Sequence, residues 1–152
     1  MFKRLITLFV NLSLLLSFAY AEENYTISGD VTFQNDGDIY VCLCTKEEFQ
    51  NLTMDLTKHV KLSRLQCKLI GMNAELRKAG KVSFRFDGIP KGTYGVLTLQ
   101  DVNKNGELDF LGLMYDEPYG SYKELPAWES CFSWSSIKFD LEKDLTGIKI
   151  QM

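Results

Sequence analysis

The sequence has little of what catalytic and nucleic-acid-binding proteins depend on. His59 is the only histidine in 152 residues, so any Ser-His-Asp or Cys-His arrangement would have to use it. The formal net charge is −3, and an acidic chain lacks the basic surface that nucleic acids and anionic lipids require. The chain has no internal repeat and no low-complexity tract. Nucleic acid is therefore not expected as a partner, and His59 is expected to be a surface residue.

Beyond residue 21, no apolar stretch reaches membrane-spanning length. The apolar run at 5–18 follows the basic pair Lys3 and Arg4 and leads to a small-x-small pattern ending at Ala21. The run is short for a span and lacks a basic stop-transfer cluster, so residues 1–21 are predicted to be a signal peptide cleaved after Ala21. The mature chain, 22–152, is predicted to be one secreted or periplasmic domain without a membrane span. Its formal net charge is lower by two, at −5.

All four cysteines follow the predicted signal peptide: Cys42, Cys44, Cys67 and Cys131. An even count in an oxidising compartment indicates up to two disulfides. Cys42 and Cys44 share one face of a predicted strand and are poorly placed to bond each other. Each could bond Cys67 or Cys131; if one bridge forms, we expect it to be Cys44–Cys67, which would close the helix-containing insertion onto the sheet. A zinc site with His59 or a redox pair is less expected, because only one short-spaced pair exists and redox pairs usually begin helices.

Short runs of alternating apolar and polar residues predict an all-β fold. Strands are predicted at 25–33, 38–45, 81–89, 93–102, 135–144 and 146–152, with a further strand and one helical turn within 56–80. The turn at 35–38 predicts a hairpin between the first two strands. A short helix is predicted at 46–55, with Thr45 and Glu48 as a capping box. About seven strands without a βαβ rhythm favour a two-sheet antiparallel β-sandwich with one short helix in an insertion.

The segment DVNKNGELDF at 101–110 carries an oxygen-bearing group at alternate positions. The candidate calcium ligands are Asp101, Asn103, Asn105, the Glu107 carbonyl and Asp109. They match positions 1, 3, 5, 7 and 9 of a loop resembling that of an EF-hand, and Gly106 occupies the sharp turn at position 6.

The match is incomplete, because Gly112 stands at position 12, where an EF-hand supplies a bidentate carboxylate. Asp116 or Glu117 would have to complete the shell from the next loop. With two carboxylates and two amides, the expected dissociation constant is about 10⁻⁴ to 10⁻³ M, in the range of extracellular calcium modules. The alternative is that Asp, Asn and Gly only build a polar turn between two strands.

The stretch FDGIPKGTYGVLTLQDVNKNGELDFLGLMYDEPYG, at 86–120, resembles a family of secreted bacterial proteins catalogued as domain of unknown function 2141. The matching residues are the Pro-x-Gly-Thr-Tyr turn at 90–94, the segment 101–109, Gly112, Glu117, Tyr119 and Gly120, followed by Pro126, Trp128 and Phe132. The chain departs from the pattern at Gln100, where the family usually has histidine, and in the longer, cysteine-bearing stretch 45–80. The resemblance implies a transthyretin-like or carboxypeptidase-regulatory-like sandwich outside the cytoplasm, and no established activity.

Three classes of function remain open. The first is a non-enzymatic binding or structural module whose ligand is a protein or carbohydrate of the cell envelope. Its rim would use the aromatic residues Tyr115, Tyr119, Tyr122, Trp128, Phe132 and Trp134, which alternatively only cover the core. The second is a small extracytoplasmic glycan hydrolase with Asp/Glu pairs about 5–9 Å apart. The third, thiol redox chemistry, requires Cys42 and Cys44 to be exposed. Because the sequence shows no catalytic constellation, the binding or structural module is favoured, and the protein is not expected to be an enzyme.

Overall fold

The computed structural model describes residues 23–53, 60–61, 67–111, 114–125 and 132–152. The predicted signal peptide, His59, Gly112, Trp128 and Cys131 lie outside these ranges. The described elements are β1 (Asn24–Thr32), β2 (Asp38–Cys44), α1 (Lys46–Thr53), β3 (Val60–Lys61), β4 (Cys67–Ile70), α2 (Ala74–Ala79), β5 (Lys81–Pro90), β6 (Gly92–Asp101), β7 (Glu107–Leu108), β8 (Phe110–Leu111), β9 (Met114–Tyr115), β10 (Tyr119–Ser121), α3 (Trp134–Ile137), β11 (Phe139–Leu141) and β12 (Leu145–Gln151).

Two sheets form a sandwich-like, mostly β fold, as predicted. The first sheet has the order β12-β1-β5, with β1 parallel to β12 and antiparallel to β5. The alternation predicted for β5 is confirmed, because Val82, Phe84 and Phe86 are buried while Ser83 and Arg85 are exposed. The apolar side of this sheet therefore faces inward, and its polar side faces water.

The second sheet has the order β10-β6-β2-β4, and β11 pairs with the first part of β6. β2 lies inside the sheet, as its two apolar faces predicted. β6 is buried without interruption from Gly95 to Asp101. Two short ladders, β3 with β7 and β8 with β9, flank the polar segment that follows β6.

Two apolar clusters explain why the second sheet is buried on both faces. The larger cluster fills the space between the sheets and consists of Ile27, Val31, Phe33, Ile39, Val41, Leu43, Val82, Phe84, Phe86, Ile89, Val96, Phe139, Leu141, Ile148 and Ile150. The smaller cluster joins the opposite face of β2 and β6 to α1 and α3, and consists of Cys42, Cys44, Phe49, Leu97, Leu99, Phe132 and Ile137. Burial of this apolar surface is the main source of stability.

The predicted hairpin between the first two strands is wrong. β1 and β2 belong to different sheets, and residues 33–37 carry the chain from one layer to the other. An Asn-Asp-Gly sequence suits a tight reversal, but it suits an inter-sheet connection equally well. The connection passes close to the backbone of β6 at Gly37, where a Cβ would lie 2.6 Å from the Asp101 carbonyl oxygen. Glycine at this position permits that close approach.

The expected Cys44–Cys67 disulfide is also wrong, because Cys67 bonds Cys42 instead. β4 pairs antiparallel with β2 so that Cys42 and Cys67 stand directly opposite, with their Cα atoms 4.0 Å apart. Cys44 lies two residues further along and is a buried free thiol. The insertion is closed onto the sheet as predicted, but by the other cysteine of the pair.

The helices are short, and their caps explain their limits. The capping box of α1 is confirmed, since the Thr45 N–H donates to Glu48 Oε2 at 2.7 Å. α2 ends at Gly80, which adopts a left-handed conformation with φ of 60°. The strand predicted at 135–144 is wrong in its first half, because Ser133 caps α3 and only 139–141 is extended. No helix in the described ranges is long and apolar enough to cross a membrane.

Candidate functional site

The candidate loop begins where β6 ends and returns to the sheet region at β7. Lys104 and Gly106 both have positive φ, of 59° and 75°, so the chain reverses sharply between them. Glycine adopts this conformation without strain, which accounts for Gly106 at the turn. The loop is therefore a compact turn, and its backbone conformation determines which way its side chains point.

Asp101 anchors the loop from below. Its side chain is only 2% exposed, and its two oxygens accept hydrogen bonds from the backbone N–H groups of Asn105 (3.1 Å) and Gly106 (2.8 Å). Bonds from N–H groups to a carboxylate are stronger than bonds between neutral groups. The first of the predicted ligands thus has a structural role in the loop as described.

Two further predicted ligands, Asn103 and Asn105, meet a third, the carboxylate of Asp109. The side-chain amides of Asn103 and Asn105 both donate to Asp109 Oδ2, at 2.6 and 2.9 Å. The side-chain oxygen Oδ1 of Asn103 accepts from the backbone N–H of Asn105 at 3.0 Å, and Oδ1 of Asn105 accepts from the backbone N–H of Glu107 at 2.8 Å. The structure therefore brings Asn103, Asn105 and Asp109 together, as the loop pattern predicted.

Glu107 takes a different position from the other four predicted residues. It begins β7 and is the pairing partner of Lys61 in β3. Its N–H supports Asn105, whereas the role predicted for its carbonyl as an ion ligand stays a prediction.

Glu117 is the residue that ties the two ends of the loop together. It is 8% exposed; its Oε1 accepts from the Val102 N–H at 2.9 Å and its Oε2 from the Asp109 N–H at 3.5 Å. Burial raises the pKa of the Glu117 carboxyl, the two backbone N–H groups oppose this, and the charges of Asp101 and Asp109 add to it. From the sequence alone, Glu117 is indicated only as one of two residues that would complete an ion shell, because an acidic pair follows shortly after the loop.

A groove of about 700 Å³ opens beside these residues. Its lining is mainly acidic and amide: Asn35, Asp36, Val102, Asn103, Asp109, Asp116, Glu117 and Pro118. The nearest ion pairs lie at its margin, with Arg77 bound to Asp36 at 2.5 Å and the Lys104 ammonium 3.8 Å from Asp38. The chemistry of this lining suits a cation or a ligand rich in hydroxyl groups.

The described side chains do not form a ready-made ion cage. Among the described residues, no three side chains of His, Cys, Asp and Glu are grouped as they would be around a metal ion. The amide nitrogens of Asn103 and Asn105, and not their oxygens, face Asp109. Ion binding would therefore require these amides to release Asp109 and turn their oxygens inward.

The comparison with known proteins gives one match. The family described as "Uncharacterized protein conserved in bacteria (DUF2141)" matches residues 30–149, which include the second sheet, the candidate loop, β5 and parts of β1 and β12. This chain belongs to DUF2141. No curated protein and no solved structure matches it.

Gln100 of this DUF2141 chain lies next to Asp101, at the start of the loop. It is fully buried; its N–H donates to the Pro118 carbonyl at 2.9 Å and its side-chain amide to the Asn35 carbonyl at 2.7 Å. Through its backbone N–H and its side-chain amide, Gln100 thus links β6 to the two segments that border the groove. Its role in this DUF2141 member is to position those segments.

The aromatic residues of this DUF2141 chain mostly pack inward where they are described. Phe132 is buried and meets the half-buried Tyr119 edge-to-face at 5.1 Å, and Tyr122 meets Phe139 in the same way at 5.2 Å. Trp134 lies 5.9 Å from Phe49 in the smaller cluster. These contacts favour the alternative in which the aromatic side chains cover the core.

The cysteines of this DUF2141 chain do not form an exposed redox pair. Cys42 is fully buried and bonded to Cys67, and Cys44 is 1% exposed. Burial, followed by the nearby charge of Glu48, raises the pKa of the Cys44 thiol to about 12. A thiol with so high a pKa is a poor nucleophile at neutral pH, which opposes the thiol redox function.

Proposed function

We propose that this protein is a non-enzymatic binding or structural module of the cell envelope, exported by the signal at 1–21, whose loop at 101–109 binds one calcium ion. Its ligand would be a protein or a carbohydrate that meets the groove beside the loop. Family membership supports the setting in bacteria but carries no activity. The proposal therefore depends on the geometry of the loop.

The observation that carries the proposal is the convergence of acidic and amide side chains on one turn. Asp101 and Glu117 are buried on two sides of the loop, and Asp109 binds both asparagine amides. Within the described chain, no lysine or arginine forms an ion pair with Asp101 or Glu117. Carboxylates held close together repel one another, and a divalent cation would offset that repulsion.

The ligands would become available by a small exchange of partners. If the amides of Asn103 and Asn105 rotate, their oxygens leave the backbone N–H groups that they accept from and replace the amide nitrogens toward Asp109, so that a hard cation can join the three groups. Asp101 and Glu117 would have to give up backbone N–H bonds to take part. This cost supports a weak site, with a dissociation constant of about 10⁻⁴ to 10⁻³ M.

The glycan hydrolase is a second candidate, and the raised pKa of Glu117 favours it. A carboxyl whose pKa is raised by burial is the usual general acid of such enzymes. Against this, both Glu117 oxygens already accept backbone N–H bonds, so the group is engaged in holding the loop. Turnover of an envelope glycan that disappears in Glu117→Gln would favour the hydrolase.

The test of the calcium proposal is thermal unfolding of the mature chain in calcium and in chelator. For a dissociation constant of about 0.5 mM, about 10 mM calcium would stabilise the folded state by about 1.8 kcal/mol, because the ion binds only that state. This corresponds to a rise in Tm of about 5–8 °C for a domain of this size.

Asp109→Asn should abolish the calcium shift, since it removes the carboxylate at the centre of the cluster. Glu142→Gln is the matched control: it also removes one negative charge, but from an exposed pair with Lys91. The control should keep the full shift. Equal Tm in millimolar calcium and in chelator for the unsubstituted chain would refute the proposed function.

A further inference from the structure

The insertion between β2 and β4 connects the disulfide to the candidate loop. At one end, Cys67 is bonded to Cys42 in the middle of the second sheet. Within the insertion, β3 pairs antiparallel with β7, with Val60 opposite Leu108 and Lys61 opposite Glu107. The β7 strand is the returning arm of the loop, so one covalent bond and one short ladder join the sheet to the loop through the same segment.

β4 is held in place by the disulfide and by a four-pair ladder with β2. It is four residues long, and Lys68 and Leu69 are exposed, Leu69 to 56%. Its side-chain contacts include the Lys68 ammonium 5.1 Å from the centre of the Phe86 ring and the partly buried Ile70. A four-residue strand at the end of the sheet order frays readily, so the disulfide fixes the start of β4.

The distance along the chain makes the tether effective. Only residues 62–66 separate Lys61 from Cys67, so β3 cannot move far from the sheet while the disulfide is intact. A short tether raises the effective concentration of β3 near β7 to the millimolar range, which favours a ladder of only two residue pairs. Release of Cys67 increases the number of residues between β3 and its next fixed point in β4, which weakens that preference.

We propose that the Cys42–Cys67 disulfide is a redox-controlled clamp on the loop at 101–109: when it is reduced, β3 leaves β7 and the loop loses its fixed form. The loss of order in the loop does not depend on the proposed function, whereas the effect on calcium affinity rests on it. The calcium affinity of the loop is therefore highest in an oxidising compartment and low where dithiol reductants are active.

Reduction follows ordinary thiol–disulfide exchange. A thiolate of a dithiol attacks the sulfur of Cys67, which is only partly buried, and Cys42 leaves as a thiolate that takes up a proton. The second thiolate of the reductant then displaces Cys67, so two cysteine thiols and one cyclic disulfide of the reductant result. Cys44 takes no part, because its thiol is buried and directed to the Gly95 carbonyl at 3.6 Å.

Hydrogen exchange of the mature chain, measured by mass spectrometry, tests the clamp. In chelator, reduction by dithiothreitol should speed exchange at Glu107 and Leu108 by about tenfold or more, with β1 and β5 unchanged. The variant Cys44→Ala keeps the disulfide and should match the unsubstituted oxidised chain. Faster exchange at 67–70 with unchanged exchange at 107–108 would overturn the proposal.

A second variant covers the case in which reduction unfolds the whole domain. Lys61→Pro breaks the β3–β7 ladder while the disulfide stays intact, and Lys61→Ala leaves the backbone able to pair. Lys61→Pro should reproduce the faster exchange at 107–108 in the oxidised chain, and Lys61→Ala should not. Equal exchange in the two variants would show that β3 does not hold the loop and would refute the clamp.

Calcium titration separates this inference from the proposed function. If both hold, reduction lowers calcium affinity by about fivefold or more. Absence of calcium binding in either redox state, with the exchange result as expected, removes the proposed function and supports the clamp. Calcium binding that is equal in both states, with unchanged exchange at 107–108, supports the proposed function and overturns the clamp.

Discussion

Replacement of Asp101 by alanine tests the idea that one buried carboxylate holds the candidate loop. Its two oxygens accept the N–H groups of Asn105 and Gly106, at 3.1 and 2.8 Å, and the side chain is 2% exposed. The variant Asp101→Ala removes both acceptors and leaves the two donors to find water. The measurement is made in chelator, so the result does not depend on calcium.

The expected loss follows from the two bonds. A hydrogen bond to a charged group contributes about 1.5–3 kcal/mol, and the lower value applies here because Asn105 is exposed and its N–H can be hydrated. Two such bonds give about 3 kcal/mol. Relief of repulsion between Asp101 and Glu117 reduces this, so we expect a net loss of about 2–3 kcal/mol, or about 6–12 °C in Tm.

Urea unfolding followed by tryptophan fluorescence gives the free energy of unfolding for each variant. Asp101→Asn keeps one acceptor oxygen and should lose about half as much as Asp101→Ala. Asp140→Ala is the control, since that exposed carboxylate accepts one bond from the Thr93 hydroxyl at 2.7 Å and should lose less than about 1 kcal/mol. If Asp101→Ala were as stable as the unsubstituted chain, or more stable, repulsion would dominate and the assigned role would be wrong.

Two other predictions concern the backbone and the free thiol. Gly37→Ala should lose about 2 kcal/mol, because its Cβ would lie 2.6 Å from the Asp101 carbonyl oxygen; Gly71→Ala, with no heavy atom within 4 Å of its Cβ, should lose nothing in the same unfolding assay. A clear loss in both variants would contradict this account. In a Cys131→Ser background, Cys44 should not react with a thiol reagent at pH 8 until the chain is unfolded, because its pKa is raised to about 12. Rapid labelling of the native thiol at pH 8 would refute this prediction. Because the pKa of Cys44 is higher in the folded than in the unfolded state, the free energy of unfolding should fall as pH rises from about 9 towards 12, by up to about 1.4 kcal/mol per pH unit. Cys44→Ala should reduce that slope.

The sequence predicted strand identity better than strand pairing. The alternation of Val82, Phe84 and Phe86 located β5 and its buried face, and the two apolar faces of 38–45 identified an interior strand. Pairing depends on contacts between distant residues, which a local pattern does not encode. The turn at 35–38 and the choice of Cys42 over Cys44 were therefore misassigned, although each local feature was recognised.

The candidate site was predicted in part, for the same reason. Asp101, Asn103, Asn105 and Asp109 stand at regular spacing in one turn, so their convergence follows from local geometry. Glu117 joins them only because the chain returns alongside β6 after residue 118, where the Pro118 carbonyl accepts the Gln100 N–H. That return depends on the tertiary fold and cannot be predicted from the spacing of residues within the loop.

The position of β1 sets an order for the folding of the domain. β1 lies between β5 and β12, and its parallel partner β12 comes more than a hundred residues later, with Val31 beside Ile150. Pairing across such a separation costs loop-closure entropy before it yields contacts, so assembly is slow compared with that of a helical domain. A chain that has been synthesised only as far as α3 lacks β12, so β1 is an unpaired edge strand. Such a fragment is prone to pair with the same edge of another copy.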